Sequence, residues 1–145
     1  MTINTRDFGK IEILESEILE FKLPILGFEA YTKFVMLYDD EMGQALCWLQ
    51  SVSDADVCFI LADPALADES YCPALPAEAL CALQLQPKDA VYRVLTVIPQ
   101  NPQDATVNLK SPVVINPHKK LAGQVVLEDN YPLKAMLMPQ EDTTC

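Results

Sequence analysis

The residues of this chain that could do chemistry are few, and their spacing does not match a catalytic or metal-binding pattern. His118 is the single histidine, so a Ser-His-Asp or Cys-His mechanism would have to use it. It lies in a polar segment beside Lys119 and Lys120, and the sequence identifies no partner nucleophile. We therefore expect His118 to be structural or exposed to solvent.

The five cysteines, at positions 47, 58, 72, 81 and 145, contain no Cys-x-x-Cys pair. Their spacing predicts no zinc site, and a chain with this much apolar sequence has little need of a disulfide framework. Cys58 lies inside an apolar run, where a free thiol behaves as a small hydrophobe. We expect reduced structural cysteines, with Cys145 exposed at the terminus.

One acidic cluster, Asp39, Asp40 and Glu41, could attract a hard cation, but it lacks the spaced oxygen ligands and central glycine of a calcium loop. The four glycines are isolated, so no phosphate-binding loop is predicted. An enzyme that uses two carboxylates brought together by folding is an alternative. It would require a cleft that contains two acidic residues with perturbed pKa values. The expectation is a non-enzymatic chain with no cofactor and no metal.

The length and hydropathy of the chain limit the class of protein to which it can belong. At 145 residues the chain is expected to form one domain with a full core, and 50% of its residues are hydrophobic. No apolar run is long enough to cross a bilayer, and the N-terminus lacks the pattern of a secretory signal. A cytoplasmic protein without membrane contact is the expectation.

The net charge of −11 is concentrated in residues 1–69, which carry fourteen acidic and four basic residues. A surface of this sign repels phosphate backbones, so direct nucleic-acid binding is disfavoured. The same charge favours encounter with a basic protein partner, although it also serves simply to keep a protein in solution.

Short segments rich in apolar and β-branched residues recur about every ten residues and are separated by turn signals. They cover residues 11–14, 18–21, 33–38, 45–52, 57–62, 90–98, 106–116 and 123–127. Residues 76–84 are typical of a short helix that starts at a proline, and a second short helix is possible near Glu29. The fold class predicted is mainly β, a compact antiparallel β-barrel-like single domain with one or two short helices. Asn108 and Asn116 interrupt the last apolar runs, so their amides need local hydrogen-bond partners.

A small-ligand barrel is the second class considered. In that case Trp48, Phe59 and Tyr92 would line a cavity, although residues of this size favour a filled interior. The single tryptophan, Trp48, lies in an apolar run and is expected in the core rather than at a binding surface.

Several segments, taken in order, resemble the FliW family of bacterial flagellar assembly factors, from about residue 3 to Tyr131. The resemblance lies in residues 3–5, 8–13, 26–29, 33–35, 48–52, 59–60, 63–64, 106–116 and 123–127. Thr-x-Asn-Leu-x-x-Pro-Val-Val-Ile-Asn, followed by Gln-Val-Val-Leu, is its most specific part. The chain departs from the family at Pro24–Phe28, where a Gly-Leu-Pro-Gly-Phe turn is usual, and in a more apolar tail.

The resemblance implies a non-catalytic β-barrel domain over residues 1–133 with a C-terminal tail over residues 134–145. It also implies two partners, flagellin and the RNA-binding translational regulator CsrA. When flagellin is exported, a freed FliW protein captures CsrA and relieves its repression of flagellin translation. The acidic residues of the first half would then repel RNA from the captured regulator. The residues expected to contact a partner are Gln50, Ser51, Asp54, Asp56, Asn108, Asn116 and Gln124.

Overall fold

The computed structural model describes residues 1–39 and 45–137, and in them the chain is built mainly of short β-strands. The strands are β1 (Thr2–Asn4), β2 (Lys10–Glu12), β3 (Ile18–Leu23), β4 (Lys33–Leu37), β5 (Leu46–Ser51), β6 (Cys58–Ala62), β7 (Val91–Val97), β8 (Thr106–Val107), β9 (Val113–Asn116), β10 (Leu121–Gln124) and β11 (Ala135–Met136). One α-helix of these residues, α1, spans Ala77–Ala82 within the predicted 76–84. Single 3₁₀ turns span Glu15–Glu17, Pro64–Leu66, Pro87–Asp89 and Pro102–Asp104.

Seven of the strands close into a barrel in the order β3, β4, β5, β6, β7, β9, β10 and back to β3. Neighbouring strands are antiparallel except β10 and β3, which are parallel. An odd number of strands cannot alternate in direction all the way around a closed sheet, so one parallel pair is required. The predicted mainly β, barrel-like class is confirmed, with the parallel pair as its one departure from antiparallel order.

The parallel closure depends on a close backbone approach at Gly123. The pairing runs from Ala122 opposite Phe21 to Gly123 opposite Leu23, so β3 contains one extra residue at this point. A Cβ added to Gly123 would lie 2.6 Å from the Leu23 Cβ. Glycine is therefore needed here because no side chain fits between the two strands.

The barrel interior is packed with apolar side chains. Its core includes Phe34, Leu49, Leu61 and Val113, each with 0% of its surface exposed. Because side chains alternate along a strand, Trp48 points outward from β5 while Leu49 points inward. A second core lies between the outer face of the barrel and α1, and a third lies under residues 105–109 and Leu137.

The N-terminal hairpin of β1 and β2 covers the outside of the barrel. Ile3 and Ile13 pack against Val35 of β4 in a separate buried cluster, and the backbone N–H of Arg6 donates to the side chain of Gln50 on β5. The hairpin thereby buries polar and apolar groups that would otherwise face solvent on β4 and β5.

Three sequence predictions are corrected by the strand bounds. The second helix near Glu29 is wrong, because residues 29–30 form a turn and Lys33 already begins β4. The predicted strand 106–116 is two strands, β8 and β9, with a loop between them. The last barrel strand begins at Leu121 rather than Gly123, because residues 117–120 form the turn that reverses the chain.

The sheet continues beyond residue 133, the expected end of the barrel domain. Ala135 and Met136 form β11 against β8, and Leu137 is buried in the third core. Residues 138–145 lie outside the described part of the chain, as do Asp40, Glu41 and Cys145.

Candidate functional site

Most of the polar residues singled out in the sequence collect at one end of the barrel. β3 ends and β4 begins there, as β5 ends and β6 begins, so the connections 24–32 and 52–57 are neighbours. Gln124 ends β10, which runs parallel to β3, and therefore lies at this end too. We call it the β3–β4 end. Asn116 lies at the opposite end, as the last residue of β9 before the turn to β10.

Gln50 and Ser51 hold the β5–β6 connection together from beneath. Both are fully buried. The Gln50 amide nitrogen lies 3.2 Å from the carbonyl oxygen of Ala55, within hydrogen-bond reach of several carbonyls of this turn, while its oxygen accepts from the N–H of Arg6. The Ser51 hydroxyl oxygen accepts from the N–H groups of Ser53 and Asp54. Both side chains therefore fix a turn, and their role in partner binding stays a prediction.

Asp54 and Asp56 are the predicted residues that this turn presents toward solvent. The Asp54 carboxylate accepts from the Tyr31 hydroxyl at 3.2 Å and from the N–H of Asp56 at 3.0 Å. The carboxylate of Asp54 raises the pKa of Tyr31, because the hydrogen bond and the negative charge both favour the neutral phenol. Asp56 is exposed.

Leu26 lies at the tip of a rigid turn at the same end. The N–H of Phe28 donates to the carbonyl oxygen of Ile25 at 2.8 Å, and Gly27 has a φ of +87°, as the third position of a type II turn requires. The N–H of Leu26 donates to the Gln124 side chain at 2.9 Å. Although its backbone is held, the Leu26 side chain is 63% exposed.

Phe28 joins this turn to the barrel core. Its ring meets the ring of Phe59 edge to face with centroids 4.9 Å apart, and Phe59 packs against the interior core. Phe28 is still 36% exposed. Leu26 and Phe28 therefore form an apolar surface, with the carboxylates of Glu29, Asp54 and Asp56 on the same two connections. We call these five residues the acidic end surface.

Asn108 and Asn116 both have local backbone hydrogen-bond partners, as expected for amides in or next to strands. The Asn108 side-chain oxygen accepts from the N–H groups of Lys110 and Ser111, both at 3.0 Å, and so shapes the loop between β8 and β9. The Asn116 amide donates to the carbonyl oxygens of Leu83 and Gln84, just after α1. Their predicted contacts with a partner stay predictions.

His118 and the two buried cysteines lie on different elements of the fold. His118 is exposed in the β9–β10 turn. Burial raises the pKa of the Cys47 thiol to about 11 and also raises that of Cys58, so both thiols are protonated near neutral pH. Within residues 1–39 and 45–137, no group of three or more His, Cys, Asp or Glu side chains is arranged to hold a metal ion.

Trp48, Phe59 and Tyr92 do not face one common cavity. Trp48 packs on the outside of the barrel against Phe8, with ring centroids 5.1 Å apart. Phe59 packs against the interior core, and Tyr92 packs against the second core beside α1. The predicted core position of Trp48 is thus a half-buried one under the N-terminal hairpin.

Two features were missed from the sequence. The exposure of Leu26 was not predicted, although Gly27, three residues after Pro24, signals a turn whose tip faces solvent. The sequence analysis predicts only a strand around Arg93, although alternation from Val91 places this residue on the interior face. In the described part of the chain, no helix is long and apolar enough to span a membrane.

The sequence and the fold both match one family. The profile of the FliW protein family matches residues 2–137. A flagellar assembly factor FliW from Syntrophus aciditrophicus is 42% identical over 136 residues, which cover 92% of this chain and 85% of that protein. One from Thermotoga maritima is 35% identical over 132 residues, covering 89% and 88%.

A crystal structure described as that of the flagellar assembly factor FliW has the same architecture. It matches with a TM-score of 0.88 at 34% identity, over 97% of this chain and 99% of that one. The barrel, the hairpin and the added strand β11 all lie within residues 2–137, which the family profile matches. The chain therefore belongs to the FliW family of flagellar assembly factors.

Proposed function

We propose that this chain is a cytoplasmic flagellar assembly factor without enzymatic activity, which binds flagellin and the translational regulator CsrA. Binding of CsrA relieves the repression of flagellin translation when flagellin has been exported. The observation that carries the proposal is the family match over residues 2–137, together with relatives whose name describes assembly and no reaction.

The charge of the chain supports a physical mechanism for the antagonism. CsrA binds RNA and must be basic where it contacts the phosphate backbone. The net charge of −11 favours capture of such a surface and raises the cost of bringing RNA phosphates close to the complex. RNA is then released by repulsion, without the assembly factor occupying the RNA groove.

Within this proposal, the acidic end surface contacts CsrA. Leu26 offers 63% of its surface from a backbone held by Gln124, so little conformational entropy is lost when a partner covers it. Asp54 and Asp56 supply negative charge beside it. Gln50, Ser51 and Gln124 act indirectly, because their hydrogen bonds set the shape of the two connections.

The docking test compares Leu26→Asp with the control Leu133→Asp. Leu133 is 68% exposed, much like Leu26, but it lies near β11 and is not part of the acidic end surface. We expect Leu26→Asp to weaken CsrA binding about tenfold or more and Leu133→Asp to leave it within about twofold, by calorimetric titration. Asp56→Asn is compared with the exposed Asp89→Asn at the far end. Equal effects in both pairs would reject this surface.

The whole proposal is tested by titrating the purified chain with CsrA and with flagellin separately. Absence of binding to both partners would reject the function. RNA release from CsrA, measured as salt rises from about 50 to 300 mM, tests the mechanism, since exposed charges are screened over this range. Release that does not depend on salt would leave binding intact but reject electrostatic repulsion.

A further inference from the structure

The interior of the barrel contains one arginine. Arg93 is paired with Val113 on β9, and it shares its face of β7 with Val91 and Leu95. Both of these side chains pack against the interior core, to which Val113 belongs. Alternation along β7 therefore directs Arg93 inward as well. It is the one charged residue of Val91–Val97.

The Arg93 guanidinium is incompletely paired. Its Nη1 donates to the carbonyl oxygen of Tyr92 at 2.7 Å, whereas its Nε is buried and has no hydrogen-bond partner. Among the described residues, the ion pairs at up to 4.0 Å do not include Arg93. A partly buried positive charge that has no anionic partner among residues 1–39 and 45–137 carries a desolvation cost, which a bound negative group would offset.

A cleft of about 270 Å³ leads from solvent to Arg93 at the end of the barrel opposite the acidic end surface. Its floor is apolar and includes Leu19, Met36 and Ile115. Lys120 lies at its rim, with Glu17 as the opposing charge. One oxygen of Glu17 is already occupied, because it accepts from the N–H of Leu14 at 2.8 Å.

We propose that this cleft, called here the Arg93 cleft, binds a small carboxylate that carries an apolar group. The carboxylate lies between Arg93 and Lys120, and the apolar group covers the floor. Barrel mouths with an apolar lining and a few polar groups are common ligand sites. Two sources have this chemistry: a free aliphatic acid, or the C-terminal carboxylate of a peptide that ends in an apolar residue.

The experiment uses the full chain and the ¹H–¹⁵N signals of the arginine Nε groups. The sequence has two arginines, Arg6 and Arg93, so Arg6→Lys assigns both signals. Arg6 is exposed and its Nε already donates to Asp7, which makes it an internal control. Hexanoate and N-acetyl-leucine are titrated as the two ligand types, with hexanol and N-acetyl-leucinamide as uncharged counterparts.

We expect a carboxylate to shift the Arg93 signal in a saturable way, with the Arg6 signal unchanged and the uncharged counterpart at least about tenfold weaker. A response to hexanoate alone identifies a free acid as the source, and a response to N-acetyl-leucine alone identifies a peptide terminus. Arg93→Met should weaken binding about tenfold, measured by shifts of backbone amides around Ile115.

Three results would overturn the proposal. They are no shift of the Arg93 signal with either acid, equal shifts of the Arg6 and Arg93 signals, and unchanged affinity in a folded Arg93→Met variant. Because the wild-type titration reads Arg93 directly, the proposal stays falsifiable even if that variant does not fold.

Discussion

The side-chain oxygen of Gln124 accepts a hydrogen bond of 2.9 Å from the backbone N–H of Leu26, which is 98 residues distant in sequence. This bond joins the end of β10 to the tip of the β3–β4 turn. The amide nitrogen of Gln124 also donates to the backbone carbonyl oxygen of Ser111 at 3.3 Å. One half-buried side chain thus links three connections, and it fixes the turn that exposes Leu26.

The first prediction concerns the contribution of this hydrogen bond to stability, which a double-mutant cycle measures. Proline suits the second position of a type II turn, but Leu26→Pro removes the N–H that Gln124 accepts. We expect Leu26→Pro alone to change the free energy of unfolding by less than about 1 kcal/mol, because the entropic gain and the lost bond oppose each other.

In a Gln124→Ala background the bond is already absent, so Leu26→Pro should stabilise the protein by about 0.5–1 kcal/mol. Urea denaturation of the four proteins gives the coupling energy. Equal effects of Leu26→Pro in both backgrounds would mean that the hydrogen bond contributes nothing.

A second prediction concerns Asn116, whose amide and oxygen serve four backbone groups at the end of α1 and in the β9–β10 turn. Asn116→Ala should destabilise the protein by about 3 kcal/mol, because the carbonyl of Leu83 loses a buried donor. Thermal unfolding should show a fall in Tm of about 10 °C.

The control for this change is Asn101→Ala, which removes an exposed side chain that accepts from Gln103 alone and should cost less than about 1 kcal/mol. Affinity for CsrA and flagellin, expressed per folded molecule, tests the predicted contact role. A loss of affinity in a fully folded Asn116→Ala protein would favour direct contact over a purely structural role.

The third prediction is that Gly123→Ala weakens the parallel closure of the barrel. The new methyl group would lie 2.6 Å from the Leu23 Cβ, so β3 and β10 must separate locally, at a cost of about 2 kcal/mol. Gly27→Ala is the comparison, because its Cβ meets no atom within 4 Å but its φ is +87°. That strain alone should cost about 1 kcal/mol. A smaller effect at Gly123 than at Gly27 in urea denaturation would contradict the steric argument.

The fourth prediction is a loss of stability at alkaline pH. The pKa of the buried Cys47 thiol is raised from 9.0 to about 11, so the folded state keeps a proton that the unfolded state releases. Its contribution is fully present below pH 9 and is lost as the pH rises through 11, by about 2–3 kcal/mol. Burial raises the pKa of Tyr71 and Tyr92 as well, which adds to the loss.

Denaturant unfolding between pH 7 and 11 measures this loss. Cys47→Ala should be less stable at pH 7 because of the cavity, but its stability should fall less steeply above pH 9 than that of the wild type. Cys72→Ala, which removes an exposed thiol, is the matched control. Parallel curves for wild type and Cys47→Ala would reject the role of this thiol.

The sequence predicted the fold well where one local signal dominates. The apolar pattern predicts the strand that starts at Lys33, and the position of Pro76 predicts the helix that follows it. Hydrogen-bond chemistry predicts that the amide of Asn116 needs local partners. The prediction that the last barrel strand starts at Gly123 is wrong, because this strand starts at Leu121. The glycine is there because β3 passes close by, and that pairing is not encoded locally.

The site was harder to predict than the fold. Asp54 and Asp56 are among the residues expected to contact a partner, but their position beside Leu26 depends on strand order, which brings residues 24–32 and 52–57 together. Gln50 and Ser51 have the residue types of a contact surface, yet Gln50 is covered by the N-terminal hairpin and Ser51 is buried beneath the turn whose N–H groups its hydroxyl accepts. Polarity alone does not distinguish an exposed polar residue that can contact a partner from a buried one that stabilises a turn.

The pairing of β3 with β10 has a consequence for biosynthesis. Leu121 pairs with Glu20, so the first barrel strand to leave the ribosome must wait for the last before the sheet can close. A nascent chain that ends before residue 121 has two unprotected strand edges, which are prone to aggregation. Competence to bind any partner through the finished barrel should therefore arise only after β10 has been translated.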